Sequence, residues 1–273
     1  MRYSVLMSVY IKEKPEFLNQ AVTSMINQTY PPTEIVIVQD GPLSVELEQV
    51  LEHFLVKFPN LIRIIELREN RGLGVALSVG LNECAEDIVC RMDTDDISYP
   101  SRCETQVSYL LENQLDIVGS NVIEVDNNGN PRSFKVVPTS NEEIYHYMNR
   151  RNPFNHMSVC FLKSSVIKSG GYKEFLWFED YYLWLRMRRN GCKMGNLKEA
   201  LVNVRTNQDF YQRRGGRKYW RRELKFFYSM YKQKLISFSN FITNILLRSM
   251  IRLAPNKSRQ KVYTWLLRKN AKL

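Results

Sequence analysis

Residues 34–41 read Glu34-Ile-Val-Ile-Val-Gln-Asp-Gly41, a short apolar run that ends in an acid and a glycine. Through the first hundred residues, runs of this kind alternate with longer segments whose apolar residues recur at helical spacing. The alternation is typical of βαβ units and predicts a largely parallel sheet. The predicted strands are residues 4–9, 34–38, 61–66 and 88–92, and the predicted helices begin near Pro15 and cover 45–58 and 75–85.

Beyond residue 96 the pattern is less regular. A predicted strand near 117–125 is followed by the turn Asn127-Asn-Gly-Asn130, which is of the kind that closes hairpins. The other predicted elements are a helix near 141–149, a strand near 157–162 and a helix near 181–190. A hairpin joined to a parallel sheet predicts an α/β fold in which helices flank a mixed sheet.

Charge is unevenly distributed along the 273 residues. Residues 1–200 contain 21 Lys and Arg against 26 Asp and Glu, and residues 201–273 contain 18 against 2, so the net charges are −5 and +16. A basic segment of this kind suggests a polyanionic partner, either nucleic acid or an anionic lipid surface. The sequence therefore predicts an acidic body with a basic tail.

The cysteines and the hydropathy of the sequence indicate the cellular compartment of the protein. The five cysteines are scattered without a CxxC pair, which favours free thiols in a reducing cytosol. The first ten residues are too short for the apolar region of a signal peptide, and no stretch reaches the roughly 20 apolar residues that span a bilayer. We therefore expect the chain to stay on the cytoplasmic side.

Polar or glycine-containing segments follow four consecutive predicted strands. They are Tyr10, Asp40, Asn70-Arg-Gly-Leu-Gly74 and Asp93-Thr-Asp-Asp96. Ligands of open parallel sheets bind outside the carboxyl ends of the strands. These segments therefore predict one binding site, in which the glycines let a base or ribose approach the backbone, make a tight turn, or do both.

Three carboxylates lie within the four residues of Asp93-Thr-Asp-Asp96. Their mutual repulsion is costly unless a cation neutralises them, and oxygen ligands with open positions suit Mg²⁺ or Mn²⁺. An acidic turn that caps a helix starting near Pro100 explains the same residues. The segment alone leaves both interpretations open.

Several segments in fixed order resemble the family 2 glycosyltransferases, which have a GT-A nucleotide-binding fold. The segments are Ser4-Val-Leu-Met-Ser-Val-Tyr10, Gln28-Thr-Tyr30, Glu34–Gly41, Asn70–Gly74, Asp93–Asp96, Asn152-Pro-Phe-Asn-His156, Gly170-Gly-Tyr172 and Glu179-Asp-Tyr-Tyr-Leu-Trp-Leu-Arg186. They extend over roughly residues 3–216. The resemblance implies a GT-A catalytic domain at 1–216, with a nucleotide-binding half at about 1–100 and an acceptor-binding half at 101–216, and leaves 217–273 as a basic amphipathic helical tail.

The resemblance also implies an activity. It is inverting transfer of a sugar from a nucleotide-diphosphate donor, here a UDP-sugar, to a lipid-linked or membrane-proximal glycan in the assembly of O-antigen, capsule or exopolysaccharide. The implied cofactor is Mn²⁺ or Mg²⁺. The implied nucleotide-sugar contacts are Ser8, Val9, Tyr10, Asp40, Asn70, Arg71, Gly72, Asp93, Thr94, Asp95 and Asp96.

Within that set, the resemblance gives three carboxylates separate roles. Asp40 would accept the imide N–H of a uracil-type base, Asp95 would contact the ribose or the metal-bound diphosphate, and Asp96 would be the direct metal ligand, with Asp95 beside it. The chain departs from the family pattern at Ile11, where Asn is common, and at Gln39, where a second Asp is common. These departures weaken the assignment of the base.

Glu179-Asp180 starts a predicted helix. Inverting transfer needs a general base for the acceptor hydroxyl, and the family's acid–base position falls on Asp180, with Glu179 beside it. Asp180 is alternatively an N-cap.

The resemblance makes His156 a sugar contact, whereas a lone histidine is also common as a hydrogen-bonded structural residue. Arg213 and Arg214 lie in a basic loop that closes over the diphosphate or is simply a solvated turn.

Other functional classes fit the sequence less well. There is no GxSxG motif, the cysteines and histidines lack zinc-ligand spacing, and the basic glycine-rich N-terminal loop of a sugar-nucleotide pyrophosphorylase is absent. The non-enzymatic alternative is a membrane- or nucleic-acid-binding module on a degenerate GT-A fold. Intact Asp40, Asp95, Asp96 and Asp180 argue against degeneration.

The tail is aromatic and basic from Tyr219 onward. In a helix, Asn240, Asn244, Arg248 and Arg252 share one face, and the other face is apolar: Phe238, Phe241, Ile242, Ile245 and Leu246. The pattern predicts a helix that lies on an anionic membrane, at the inner face of the cytoplasmic membrane. The alternative is that the apolar face packs on the catalytic domain. Nucleic acid is the poorer partner because the apolar runs would stay exposed.

Overall fold

The computed structural model describes residues 1–175, 177–206, 216–253 and 268–269. Its first half is a parallel sheet whose strands are ordered β3-β2-β1-β4, with every neighbouring pair parallel. The strands are β1 (Ser4–Val9), β2 (Glu34–Asp40), β3 (Ile62–Leu67) and β4 (Ile88–Arg91). The helices that connect them are α1 (Pro15–Ile26), α2 (Val45–Lys57) and α3 (Leu73–Glu83). The prediction of βαβ units is confirmed.

The second half makes the sheet mixed. Strand β8 is antiparallel to both β4 and β6, β7 forms a hairpin with β6, and β9 runs parallel to β6. The strands are β5 (Ile97–Ser98), β6 (Ile117–Val125), β7 (Pro131–Lys135), β8 (Cys160–Leu162) and β9 (Met194–Arg205). The helices are α4 (Arg102–Glu112), α5 (Asn141–Tyr147), α6 (Lys163–Lys168) and α7 (Glu179–Arg189).

Most predicted bounds agree to within about two residues, one predicted strand starts three residues late, and one long strand was not predicted. The strand expected from residue 157 begins at Cys160, because His156–Ser158 form a 3-10 turn. Helix α4 begins at Arg102 and is separated from the acidic cluster by β5. Strand β9 was not predicted because its residues do not alternate regularly between polar and apolar. The alternation is broken at the exposed residues Lys198 and Glu199, where the pairing with β6 shifts register.

Each face of the sheet has its own hydrophobic core. Val5 and Met7 of β1 point to the face that is covered by α1, α2 and α4, and Leu6 points to the face that is covered by α3 and α7. All five cysteines are buried and free, as expected. Alternation along the strands therefore places helices on both faces and leaves the carboxyl edge of the sheet for the site.

The C-terminal segment packs against the second core. Helix α8 (Gly216–Lys232) brings Phe226, Phe227 and Met230 into the cluster that contains Trp184 of α7. Helix α9 (Phe238–Leu253) follows, and the short strand β10 (Arg268–Lys269), which was not predicted, pairs with β7. Among the described helices, none has the length and hydropathy needed to cross a membrane. The domain division at residue 216 stays a prediction.

Candidate active site

The four segments predicted from the strand ends lie along one edge of the sheet. Thr94 Oγ1 donates to the carbonyl of Ser8 at 3.1 Å, which ties the end of β1 to the segment after β4. Asn70 Nδ2 donates to the carbonyl of Asp40 at 3.1 Å, which ties the loop after β3 to the end of β2. Tyr10 is half-buried, but the side chain of Val9 is fully buried in the core. Val9 therefore offers this edge only its backbone.

Asp40 holds the Asn70–Gly74 loop in place. Its carboxylate is buried and accepts backbone hydrogen bonds from Arg71 at 2.7 Å and from Gly72 at 2.9 Å. Gly41, with a φ of +85°, is needed beside it because a Cβ there would lie 2.5 Å from the nitrogen of Asn70. Each carboxylate oxygen of Asp40 has a second lone pair that is able to accept a hydrogen bond from a base. The contact between Asp40 and a base stays a prediction.

The other end of that loop contacts helix α7. A Cβ at Gly74 would lie 3.2 Å from Cβ of Glu179 and 3.3 Å from the carbonyl of Lys173. This close approach requires a small residue at 74. The loop therefore links the strand ends of the nucleotide half with the first turn of α7, which carries Glu179 and Asp180.

The acidic cluster has the donor set of a hard-cation site. One carboxylate oxygen from each of Asp93, Asp95 and Asp96 lies within 4.8 Å of the others. Asp96 Oδ1 accepts from the backbone N–H of Arg205 at 2.9 Å, but its buried Oδ2 has no hydrogen-bond partner among the described residues. Burial and the neighbouring carboxylates raise the pKa of Asp95 to about 6 and the pKa of Asp96 well above its usual range. A divalent cation would reduce the repulsion between the carboxylates and would give Asp96 Oδ2 a partner.

Two arginines that the sequence did not single out complete this cluster. Buried Arg91 forms an ion pair with Asp93. Burial alone would lower the pKa of Arg91, but the charge of Asp93 raises it. Arg205 donates its side chain to the carbonyl of Asp95 and to Gln20, and its guanidinium lies 4.2 Å from the ring of Phe17. Recognising β9 from the sequence would have placed Arg205 at this edge, because it is the last residue of that strand.

The alternative interpretation of the acidic cluster as a helix cap does not hold. The N-cap of α4 is Ser101, which makes no capping side-chain hydrogen bond, and β5 separates the acids from the helix. The N-cap of α7 is Phe178, so Asp180 is already the second residue of its helix. Neither group occupies an N-cap position, although Asp180 still accepts a hydrogen bond from a backbone N–H of the first turn of α7.

Glu179 and Asp180 form a carboxylate pair at the start of α7. Asp180 Oδ2 accepts a hydrogen bond from Asn152 Nδ2 at 2.6 Å, and Oδ1 accepts from the backbone of Tyr181 at 2.6 Å. Burial and the charge of Asp180 raise the pKa of Glu179 to about 7. Two adjacent carboxyl groups in different environments are suited to acid–base chemistry near neutral pH.

His156 lies in an aromatic cluster. Its Nε2 is 3.0 Å from the hydroxyl of Tyr172, and its ring is 6.0 Å from the ring of Trp184. Burial, with the charge of Arg91, lowers the pKa of His156 well below its usual range, so the ring is neutral. These contacts support the structural interpretation, and a sugar contact stays a prediction. Arg213 and Arg214 lie outside the described residues.

Comparisons with known proteins concern the whole chain and its fold. The family model described as Glycosyl transferase family 2 matches residues 4–176. The chain is 38% identical over 270 residues to the UDP-Gal:alpha-D-GlcNAc-diphosphoundecaprenol beta-1,3-galactosyltransferase of Escherichia coli, covering 98% of this chain and 97% of that protein. It is 41% identical over 263 residues to the amylovoran biosynthesis glycosyltransferase AmsE of Erwinia amylovora, covering 96% and 97%.

The fold is also found among solved structures. The crystal structure of S. aureus TarS 1-349 in complex with UDP-GlcNAc matches with a TM-score of 0.67 at 15% identity, covering 97% of this chain and 76% of that chain. A match to a longer TarS chain covers 38% of that chain. At this identity the likeness concerns the fold alone, and it confirms the predicted GT-A fold class.

Proposed function

The chain belongs to glycosyltransferase family 2, and from this premise we propose that it transfers a sugar with inversion from a UDP-sugar to a lipid-linked glycan acceptor in surface-polysaccharide assembly. One observation carries the proposal. The Asn70–Gly74 loop contacts Asp40 at one end and Glu179 at the other, which supports a single site for the strand-end carboxylates and the carboxylates of α7. A donor held at the strand ends would therefore lie beside a candidate base.

Asp180 would act as the base. Its carboxylate takes the proton of the acceptor hydroxyl while that oxygen forms a bond to the anomeric carbon and the bond to UDP breaks on the opposite face. Asn152 orients the carboxylate through the 2.6 Å hydrogen bond. Glu179, with a pKa raised to about 7, can keep its proton at neutral pH and use it to donate a hydrogen bond to an oxygen of the acceptor.

Asp95 and Asp96 would hold Mn²⁺ or Mg²⁺. The buried, unpartnered Oδ2 of Asp96 and the raised pKa values of both groups support a cation here, and the ion pair with Arg91 keeps Asp93 turned toward its own partner. When bound, such a cation supplies Lewis-acid neutralisation of the leaving diphosphate. A non-catalytic module has no use for this arrangement, because an unpaired buried carboxylate costs free energy.

Relatives suggest the first substrates to test. The name of the Escherichia coli relative includes UDP-Gal and a GlcNAc-diphosphoundecaprenol acceptor, and the TarS structure contains UDP-GlcNAc. We therefore propose a hexose or N-acetylhexosamine as the transferred sugar, and a GlcNAc diphosphate on a lipid as the acceptor. The enzyme would work as a peripheral protein at the inner face of the cytoplasmic membrane, held there by its basic tail.

The test is transfer by the purified full-length chain. It is incubated with Mn²⁺, a panel of UDP-hexoses and UDP-N-acetylhexosamines, and GlcNAc-diphosphate on a short lipid. We expect one donor to give a product that is one sugar heavier by mass spectrometry, with inverted anomeric configuration by NMR. The variant D180N should give none. The proposal is wrong if no donor is used, if the configuration is retained, or if D180N transfers as well as the wild type.

A further inference from the structure

Helix α9 buries its polar face and exposes most of its apolar face. Asn244 and Arg252, on its polar face, are only 2% and 5% exposed. On the other side, Leu246 and Met250 are 60% and 65% exposed. The alternative that the apolar face packs on the domain therefore holds only for its margin, where Phe241 and Ile245 contact the core, and the membrane interpretation stays a prediction.

The polar face is buried because α8 supplies its partner. Glu223 of α8 forms ion pairs with Arg248 and Arg252, the latter at 2.8 Å between Nε and Oε2. Asn244 Nδ2 donates to the carbonyl of Asn149 at 2.8 Å. These bonds satisfy the buried polar groups of the helix, so the exposed apolar residues are not needed for its docking.

The exposed residues form a continuous strip, which we call the apolar stripe. It consists of Phe238, Ile242, Leu246, Leu247 and Met250, all exposed. Four of these residues are spaced by four along α9, so they share one side of the helix. Soluble proteins rarely expose contiguous apolar surface of this kind unless it is an interaction surface.

Charge identifies the partner. Within residues 216–253 the only acidic residue is Glu223, which is buried and paired. The exposed charges of this helical hairpin are all positive: Arg217, Lys218, Arg221, Lys225, Lys232 and Lys234. A second copy of the chain would bring two cationic surfaces together, and a nucleic acid would leave the apolar stripe in water. An anionic lipid bilayer satisfies both the charge and the stripe.

We propose that the apolar stripe inserts into the headgroup region of an anionic bilayer while the surrounding lysines and arginines bind lipid phosphates. The inference rests on the proposed function and adds a fixed geometry to it. Helix α8 packs on α7 through the stacked rings of Phe178 and Phe226, whose centroids are 4.7 Å apart. Binding through α9 therefore holds the helix that begins with Glu179 and Asp180 at a set distance from the bilayer.

Vesicle flotation tests the surface directly. The full-length protein is floated with phosphatidylcholine vesicles that contain 0, 20 or 40% phosphatidylglycerol. We expect binding to increase with phosphatidylglycerol and to decrease at least tenfold in the variant L246S/L247S/M250S. The matched control V45S/L55S/V56S removes three exposed apolar side chains from α2 and should float like the wild type. Thermal unfolding of both variants shows whether they remain folded.

A second variant keeps the test decisive if the stripe variant unfolds. Arg221 and Lys225 are exposed on α8, and R221Q/K225Q should weaken binding to the 40% vesicles about tenfold without changing the small binding to neutral vesicles. The proposal is overturned if the wild type ignores lipid charge, or if the folded stripe variant floats unchanged. It is also overturned if sedimentation shows that the stripe holds a dimer that L246S/L247S/M250S dissociates.

Activity separates this inference from the proposed function. The stripe variant should transfer sugar at the wild-type rate to an acceptor on a short, water-soluble lipid, and about tenfold more slowly to the same acceptor in anionic vesicles. Equal rates of the variant and the wild type on both acceptors would contradict the membrane surface only. Absence of transfer by the wild type with either acceptor would contradict the proposed function, whereas flotation would still report on the surface.

Discussion

Asp96 and Glu223 are equally buried carboxylates, each about 1% exposed, and their surroundings are opposite. Glu223 lies between two arginines of α9, so although burial raises its pKa, the charges of Arg248 and Arg252 lower it overall. Asp96 lies beside two further carboxylates, and burial together with these neighbours raises its pKa. Its Oδ2 has no partner among the described residues.

The comparison separates a structural charge from a functional one. The ion pairs of Glu223 are complete within the chain, so this charge helps to orient α9. Asp96 has no ion pair of this kind among the described residues: its Oδ2 is buried without a hydrogen-bond partner, and two carboxylates lie beside it, which is costly unless a ligand is bound. Burial alone therefore does not mark a candidate site; a buried oxygen without a partner beside like charges does.

The largest effect is expected for D96N. Without this ligand oxygen the leaving diphosphate is not neutralised, so transfer should fall by about 10³-fold or more in an assay with saturating Mn²⁺. Unfolding of D96N in chelator should occur at a temperature no lower than that of the wild type, since the amide removes a buried charge. Full activity of chelator-treated wild type would refute the metal role.

A comparable loss, with a different signature, is expected for D180N. An amide cannot accept the proton of the acceptor, so turnover should fall by about 10²- to 10⁴-fold. Calorimetry should show UDP affinity within about twofold of the wild type, because Asp180 lies outside the strand-end segments. Simultaneous loss of UDP binding would mean that Asp180 organises the donor site instead of acting as the base.

For E223Q the effect should be on stability and not on chemistry. Two arginines would lose a buried charged partner, which costs about 3–5 kcal/mol of unfolding free energy, measured by urea denaturation. Turnover on a water-soluble acceptor, per folded molecule, should match the wild type. The matched control is E52Q, which neutralises an exposed acid of α2 and should change the free energy of unfolding by less than about 0.5 kcal/mol. A stable E223Q would show that its ion pairs do not orient α9.

A smaller effect is expected from pH. The folded protein without metal holds protons on Asp95, with a pKa of about 6, and Glu179, with a pKa of about 7, more tightly than the unfolded chain, where values near 3.8 and 4.5 apply. Its stability should therefore fall as pH rises from about 4 to 7, with a slope of at most about 1.4 kcal/mol per pH unit per group. Glu223 acts in the opposite sense, because its lowered pKa gives stability that is lost as pH falls below about 4.5.

Urea unfolding in chelator across this pH range measures that slope. Added Mn²⁺ should flatten it, since the cation favours the charged carboxylates of Asp95 and Asp96. D96N should also have a shallower slope, because Asp95 loses a like-charged neighbour. A slope unchanged by Mn²⁺ would mean that the cation does not bind at these acids.

Features fixed by local pattern were predictable from the sequence. Strands β1 and β6 were predicted with the bounds they have, because β1 is a largely apolar run and β6 ends just before the turn Asn127–Asn130, and the strand ends pointed to Asp40 and Asp93–Asp96. The contacts of Arg205 were not predictable, because β9 has a register shift that hides its pattern. Periodicity also showed that α9 has two faces but not which one is buried, since that depends on Glu223 in a different helix.

The packing of α8 on α7 has a consequence for the order in which the protein is made. Phe226, which covers Phe178 and Tyr181 of α7, lies 46 residues after Asp180 in the chain. Chains emerge from the ribosome N-terminus first, and segments pack as they become available. A nascent chain can therefore assemble the strand ends that hold Asp40 and Asp96 while α7 still lacks its aromatic cover. During translation, the strands that carry Asp40 and Asp96 are therefore available to pack before α8 can cover the first turn of α7.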